Sequence, residues 1–542
     1  MERFANLLDC LVCTPQRNSK LQLLANYFKQ IPDPARGWSL AALTGDLDIP
    51  GVKASAIRGL VEARMDSELF RLSYDYVGDL AETVSLVWPG TVRANWSPPI
   101  EEVVPALMEA GRTEGTRLVE GWMDVLTPSG RWALLKLITG GLRIGVSARL
   151  TKLALAQYGE VDVSEIEEIW HGLAPPYEGL FAWLDGKAPR PSPDITAPFR
   201  PVMLAHPLVT KDKRDDPDAV DPSLITPETF AAEWKYDGVR VQVVSEAGMR
   251  RIYTRTGDDI SHTFPDVLAG LDFEGALDGE LLVRNSEGGI APFNALQQRL
   301  NRKTVSKRQM DSHPAFVRAY DILVDEAEDL RALPFAERRK RLEAFVGRLE
   351  TDRIDLSPLV QITDVAALEA ARNAPPAPEI EGLMLKRWNS AYIAGRPKGP
   401  WFKWKRDPFL IDAVLLYAQR GHGKRTSFYS DFTFGVWREG EHGDELTPVG
   451  KAYFGFTDEE LKQLDAFVRE NTTDRFGPVR AVTATAEGGL VLEVAFESLQ
   501  RSPRHKSGIA MRFPRINRIR WDKPAAEADR LESLEKLLPE DI

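Results

Sequence analysis

Between Ala232 and Val244 the chain reads AEWKYDGVRVQVV, with Lys235 set between Trp234 and Tyr236 and followed at once by Asp237-Gly238. Alternation of Val239, Val241 and Val243 with Arg240 and Gln242 predicts a half-buried strand. On such a strand a lysine serves either as a solvated edge guard or as a nucleophile. A nucleophile has to lose its proton first: with an ordinary pKa of about 10.4, only about one amine in a thousand is neutral at physiological pH, a penalty of roughly 4 kcal/mol. Nearby cations and desolvation lower that penalty. An amine attacking a nucleotide phosphorus also needs cations to balance the charge in flight and carboxylates to hold a divalent metal. Side chains of those types follow in order. RIYTRTGDDIS holds Arg255, ALDGELLV puts Asp278 and Glu280 on one side of a strand, and VRAYDILV offers Tyr320. EGLMLK carries Glu381 and Lys386 five positions apart, WFKWKRDP sets Lys403 and Lys405 two apart, and RFPRINRIRWDK ends in Arg520, Asp522 and Lys523.

K-x-D-G alone is a weak signal, but six motifs in this order and at these spacings are specific. Together they resemble the covalent nucleotidyltransferases, and within them the ATP-dependent DNA ligases, over nearly the whole chain. PFNALQQRL, LPFAERRKRLE, GHGKRTSFYSDFTFGVW and VGKAYFGFTDEEL are similar to family segments between the motifs. The resemblance implies that Lys235 attacks the ATP α-phosphate and becomes adenylated. It places Glu233 at the adenine amino group, with Tyr320 and Met384 on either side of the ring. Arg240 and Arg255 would contact the ribose and the 5′-phosphate of a nick, and Glu280 and Glu381 would be the ribose and Mg²⁺ (or Mn²⁺) carboxylates. Lys386, Lys403 and Lys405 would face the α-phosphate, while Arg520, Asp522 and Lys523 would orient the leaving pyrophosphate. Phe293 matches a phenylalanine that presses into the minor groove beside the nick. The position after RFPR, often phenylalanine in larger ligases, is Ile516 here, which puts a second aromatic wedge in doubt. The implied partner is nicked duplex DNA, bound by a monomer.

Three kinds of element are needed to position these residues. SKLQLLANYFKQI, PALMEAGRTEGTRLVEGWMDVL and SARLTKLALAQYG repeat apolar residues at helical spacing, so an all-α domain is expected over 1–190. Its LLKLITGGLRIGVSARLTKLAL joins two helices across Gly140-Gly141, with Arg143, Arg149 and Lys152 near the break as candidate contacts to a DNA phosphate. The proline-dense DGKAPRPSPDITAPFRPVMLAHP reads as an interdomain linker. Short strands and the helix PFAERRKRLEAFVGRLE predict an α+β domain over 191–407, which the resemblance implies is the nucleotidyltransferase domain, and FLIDAVLLYAQRG, DFTFGVW and LVLEVAFESLQ predict a small β-barrel over 408–542, which the resemblance implies is an OB-fold.

The bulk composition agrees with a multidomain globular protein: 542 residues, 43% hydrophobic and 27% charged. No apolar run reaches the length of about 18 residues that a membrane span needs. The start, MERFANLLDCLVC, carries acids and is unlike a signal peptide, so the cytoplasm, with nucleoid association through DNA, is expected. A net charge of −11 argues against a polyanionic partner, yet the cations are segregated. Lys386–Arg406 holds seven basic residues and no acid, and Arg501–Lys523 holds eight with Asp522 the one acid. Interleaved aromatics make these clusters suited to a groove that tracks phosphates. Cys10 and Cys13 lack the second pair that a structural zinc site requires and read as helix residues one turn apart. GHGKRTS resembles the end of a P-loop without its first glycine, and the histidines have no metal spacing. Three other readings stay open: an NAD⁺-dependent ligase, which carries a four-cysteine zinc module; an RNA ligase or capping enzyme, which has no counterpart to the helical region; and a catalytically silent nick-binding scaffold.

Overall fold

The structure is a computed structural model describing residues 1–77, 79–89, 96–192, 196–208, 224–300, 302, 305–361, 363–420, 428–440, 443–503 and 505–538, with only the backbone at 75 and 76. GHGKRTS and the acidic stretch 212–222 lie outside the described residues. Two compact units divide the chain. One comprises Met1–Val161, Ala174–Arg190 and Pro408–Ile542, and the other Asp162–Leu173 and Pro191–Asp407.

In the first unit, residues 1–161 fold into helices, as their apolar spacing predicts. The helix Pro128–Thr139 starts where the Thr127 side chain accepts from Gly130 N and has proline at its first position; it stops at Gly140, whose φ of 67° is left-handed. The helix Ala148–Gly159 starts on a Ser147 cap. Between them, the buried Lys20 ammonium ties down the loop by donating to the carbonyls of Ile144 (2.7 Å) and Gly145 (3.0 Å). Cys10 and Cys13 are free thiols on the helix Glu2–Cys13.

The same unit contains the C-terminal barrel. Its long strand Phe409–Arg420 pairs with Tyr429–Gly440 on one edge. On the other it pairs with Val491–Phe496 through its first half and with Val479–Val482 through its second. Gly443–Ala452 and Arg515–Arg520 extend the sheet, and Ile516 N donates to Phe454 O (3.1 Å), which draws its two ends together. The inward residues, Phe432, Phe434, Val494 and Phe496 among them, form one core closed by the helix Asp458–Glu470. That helix begins at a reciprocal cap between Thr457 and Glu460, the T-x-x-E pattern inside GFTDEEL.

The second unit is built on two sheets. One runs His206–Pro207, Trp401–Lys405, Ile380–Arg387, Phe230–Tyr236, Leu359–Val360; the other runs Met249–Thr254, Val239–Glu246, Gly275–Val283, Ala315–Asp325, Glu328–Asp329, with Ile354–Leu356 also on Ala315–Asp325. Val241, Val243, Leu277, Leu281, Val317 and Phe345 fill the core beside the second sheet, and fully burying each such side chain contributes about 1.5–3 kcal/mol. The proline-dense stretch expected as a linker is one only in part. Ala197, Phe199, Val202, Met203 and Ala205 are buried with Val244, Tyr253, Leu323 and Trp401, and His206–Pro207 pairs with Trp401–Lys405. Proline bars a helix there but leaves the apolar side chains free to pack. Residues 162–173, helical in pattern, belong to this unit too: His171 packs edge-on against Phe199 at 5.0 Å.

Candidate active site

Strand register collects most of the candidate residues. Side chains at i and i+2, and those of directly paired residues on adjacent strands, share a face. Lys235 pairs with Gly382, Glu233 with Met384, and Ala231 with Lys386. On the next strand Lys405 pairs with Gly382, Lys403 with Met384, and Trp401 with Lys386. One face of the first sheet therefore presents Glu233, Lys235, Met384, Lys386, Lys403 and Lys405. On the second sheet Arg240 pairs with Glu280 and Gln242 with Asp278, which sets Asp278 and Glu280 on one face as their spacing predicts.

Two residues reach the site against that alternation. Ile380 pairs with Tyr236 but Gly382 with Lys235, which makes Glu381 the extra residue of a β-bulge. The bulge turns its carboxylate to the lysine: Lys235 Nζ donates to Glu381 Oε2 at 2.5 Å, and Lys405 Nζ lies 3.4 Å from the same oxygen. Gly382 permits this. Its φ is +145°, and a Cβ there would lie 2.2 Å from the Trp404 carbonyl oxygen. Likewise Asp278 pairs with Asp321 and Gly279 with Ala319, so Tyr320 is the extra residue of a second bulge. Its ring lies 4.5 Å from the Lys386 ammonium and 5.8 Å from the Arg240 guanidinium. The glycine of K-x-D-G has a simpler role: a Cβ on Gly238 would strike the Leu281 carbonyl oxygen at 2.6 Å and Glu280 Cγ at 2.8 Å.

Charges in the site are set by burial and by one another. Burial pulls the Lys235 amine down, but Glu381, Glu280 and Asp237 push it up and prevail, so it is held above the ordinary lysine range as an ammonium. Burial lifts the Glu280 carboxyl to about 7, with Lys235 and Arg240 opposing and Glu381 and Asp237 assisting. Lys403 is lowered by burial and by Arg396, Lys405, Lys235 and Arg255, which marks it as the centre of a cation cluster. Arg255 itself is exposed. Lys386 has different partners. It is 1% exposed, its Nζ lies 2.5 Å from Glu233 Oε2 and donates to the Tyr320 carbonyl, and burial lowers its pKa. Arg240 donates to Asp278 Oδ2 (2.6 Å), to Tyr392 Oη (3.1 Å) and to the Met203 carbonyl (2.5 Å), while Tyr392 also donates to the buried Asp278. Sequence reasoning missed this Tyr392–Asp278 anchor. It found the helix Phe335–Gly347 but missed that its buried face carries Arg338 and Arg339 between Phe335 and Leu342. Arg338 pairs with Asp321 (2.8 Å) and Arg339 with Glu233 (3.1 Å). The helical phase of RRKRLE carried a signal, because an arginine in register with buried apolar residues requires an acid beside it.

Comparison with known proteins agrees with this geometry. Residues 218–405 match the family model described as ATP dependent DNA ligase domain, and residues 425–523 match ATP dependent DNA ligase C terminal region. A DNA ligase of Methanoculleus marisnigri is 32% identical over 443 residues, covering 80% of this chain and 76% of its own. The chain belongs to the ATP-dependent DNA ligases. A probable DNA ligase of Koribacter versatilis is 29% identical over 99% of this ligase and 96% of its own length. A solved structure described as Pmar-Lig_Pre shares the fold, with a TM-score of 0.59 and 14% identity over 96% of this ligase and 99% of that chain.

The remaining candidates of the ligase sit elsewhere. In the barrel, Lys523 Nζ lies 2.8 Å from Asp412 Oδ2, and Arg520 bridges Asp412 (3.3 Å) and the exposed Asp522 (2.8 Å). Phe293 is half-buried against the core of the second sheet. Ile516 is buried, and the exposed aromatics of that segment are Trp521 and Phe513, the latter with a left-handed φ of 51°. Arg143 and Arg149 are exposed, whereas Lys152 is 9% exposed on the inner face of its helix. Among the described residues no group of three or more His, Cys, Asp or Glu is arranged to hold a metal, and no helix is long and apolar enough to cross a membrane.

Proposed function

We propose that Lys235 is the residue that carries AMP in this ligase. Its nitrogen attacks the ATP α-phosphorus, an N–P bond forms, the bond from the α-phosphorus to the bridging oxygen breaks, and pyrophosphate leaves. The adenylate then passes to the 5′-phosphate at a nick, and the 3′-hydroxyl displaces AMP to close the strand. The observation that carries this reading is the Lys235–Glu381 pair at the bulge, beside Lys403 and Lys405. Glu381 Oε2 is placed to take the proton that the Lys235 ammonium must give up before it attacks, and Lys403 and Lys405, with Arg396 and Arg255 near Lys403, balance the charge of the α-phosphate. Tyr320 and Met384 flank the adenine, Glu233 accepts from its amino group, and Arg240, fixed by Asp278, reaches the ribose.

The donor set fits Mg²⁺. The Glu381 charge raises the proton affinity of the neighbouring Glu280 carboxyl, and Mg²⁺ characteristically takes one or two carboxylates plus substrate phosphates rather than an all-protein cage. When bound, the ion would neutralise the triphosphate and the carboxylates that hold Lys235 as an ammonium. Arg520, Asp522 and Lys523 act on the pyrophosphate. Arg143, Arg149 and Phe293 contact nicked duplex DNA, and Lys152 supports the helix behind them. The enzyme works as a cytoplasmic monomer on the nucleoid, with domains 1–190, 191–407 and 408–542 each engaging the duplex.

The test is to incubate the full chain with α-labelled ATP or labelled NAD⁺. Label is expected from ATP alone, transferable to nicked DNA and reduced at least about a thousandfold in Lys235→Ala. Label from NAD⁺, or undiminished label in Lys235→Ala, would overturn the reading.

A further inference from the structure

We propose that Arg339 and Lys386 are positioning residues that make Glu233 the selector of a 6-amino over a 6-oxo purine nucleotide. Glu233 stands two residues before Lys235 and is 1% exposed. Its Oε1 accepts from Arg339 Nη1 at 3.1 Å and its Oε2 lies 2.5 Å from Lys386 Nζ. Both cations are themselves buried, at 5% and 1% exposure. They come from different elements, Arg339 from the helix Phe335–Gly347 and Lys386 from the strand Ile380–Arg387. A carboxylate gripped at both oxygens from two directions cannot rotate, and each oxygen keeps a further lone pair for a ligand.

With Oε1 accepting from Arg339 and Oε2 against Lys386, what Glu233 offers a ligand is the remaining lone pairs of its two oxygens. Its neighbours place a flat ring beside it: Met384 is its partner in strand register, and the Tyr320 ring lies 4.5 Å from the Lys386 ammonium. A 6-amino group donates to this carboxylate, whereas a 6-oxo group meets it lone pair to lone pair. Buried sites that must hydrogen-bond a substrate reject the mismatched analogue strongly. The inference rests on the reading that the ATP base lies against Glu233 during adenylation of Lys235. Arg339 is steadied in turn by Glu343, whose Oε1 accepts from Arg339 Nε at 2.7 Å and whose side chain is 46% exposed.

The experiment compares self-labelling of the full chain by α-labelled ATP and by α-labelled inosine triphosphate, as the ratio of kcat/KM, a quantity independent of the fraction of active enzyme. Arg339→Met should lower the ATP preference at least about tenfold, mainly through KM, and Arg339→Lys should restore it to within about threefold. Should Arg339→Met fail to fold, Glu343→Gln leaves the buried pair intact and should lower the ratio about threefold. An unchanged ratio in the variant that folds, or equal losses with both nucleotides, would overturn the positioning role alone. Absence of label from ATP in the unsubstituted enzyme would overturn it together with the reading on which it rests.

Discussion

The two sheets around Lys235 and the C-terminal end of the barrel use the same residue types in different ways. Around Lys235 the charges are withdrawn from water. Lys386 and Glu233 are each 1% exposed, and Lys235 and Glu381 meet at 2.5 Å. In the barrel, Arg520, Asp522 and Lys523 form a chain of pairs around Asp412, with the Asp522 side chain 68% exposed. Water screens the Arg520–Asp522 end of the second set, so that pair adds little stability and exchanges readily for another partner, whereas the pairs to Asp412 are as sheltered as Lys235 and Glu381. Low dielectric strengthens the first set, so its charges act on one another and on whatever enters. The contrast is sharpest between Lys386 and Glu233, sealed from water, and Arg520 and Asp522, open to it at the Asp522 end.

Substitutions at the buried carboxylates should break that contrast most severely. Glu381→Gln and Glu280→Gln are each expected to slow self-labelling by about 10²–10³-fold, read with α-labelled ATP. They should also reveal a cost. The Glu280 carboxyl is lifted to about 7, so the folded state binds its proton more tightly than the unfolded chain does. Its ionisation therefore destabilises the fold increasingly as pH rises from about 4.3 through 7. In the presence of a chelator Glu280→Gln should melt higher than the parent at pH 8 and equally at pH 4; equal melting at both would refute the assigned shift.

Gly382→Ala comes next. The added methyl meets the Trp404 carbonyl at a left-handed φ, so a loss of about 2–4 kcal/mol is expected in denaturant titration, together with slower labelling as Glu381 loses its aim. On the barrel side, Asp522→Ala and Lys523→Ala should each slow labelling about tenfold, and Asp522→Ala, at an exposed pair, should leave the melting temperature unmoved. Intact labelling in both would remove the barrel from the adenylation step. The smallest effect belongs to the helical region, where Arg143→Ala and Arg149→Ala should each weaken binding to nicked duplex about threefold and lower the salt slope by about one.

The grouping of Lys235 with carboxylates and cations was legible because each motif keeps its residues within one strand, where the side-chain period is fixed. The spacing of EGLMLK was misleading. Five positions on a regular strand put Glu381 and Lys386 on opposite faces, and the bulge at Glu381 reverses this. The adjacent glycine was the only local hint. Tyr320 reached the site by a second bulge that nothing in VRAYDILV marks. The expected linker turned out to contribute Phe199, Val202 and Met203 to the core, because proline content reports the absence of helix rather than the absence of burial.

By itself the sequence determined the chemical groups, their order along the chain and the elements that carry them, since those depend on local periodicity and residue type. Which groups face one another was decided only by the tertiary structure. Lys386 turned from the expected phosphate toward Glu233, Arg339 arrived from a helix more than a hundred residues away, and Glu381 swung onto Lys235. The physical reason is that a bulge, a register and a buried ion pair are properties of two segments in contact, and neither segment states them alone.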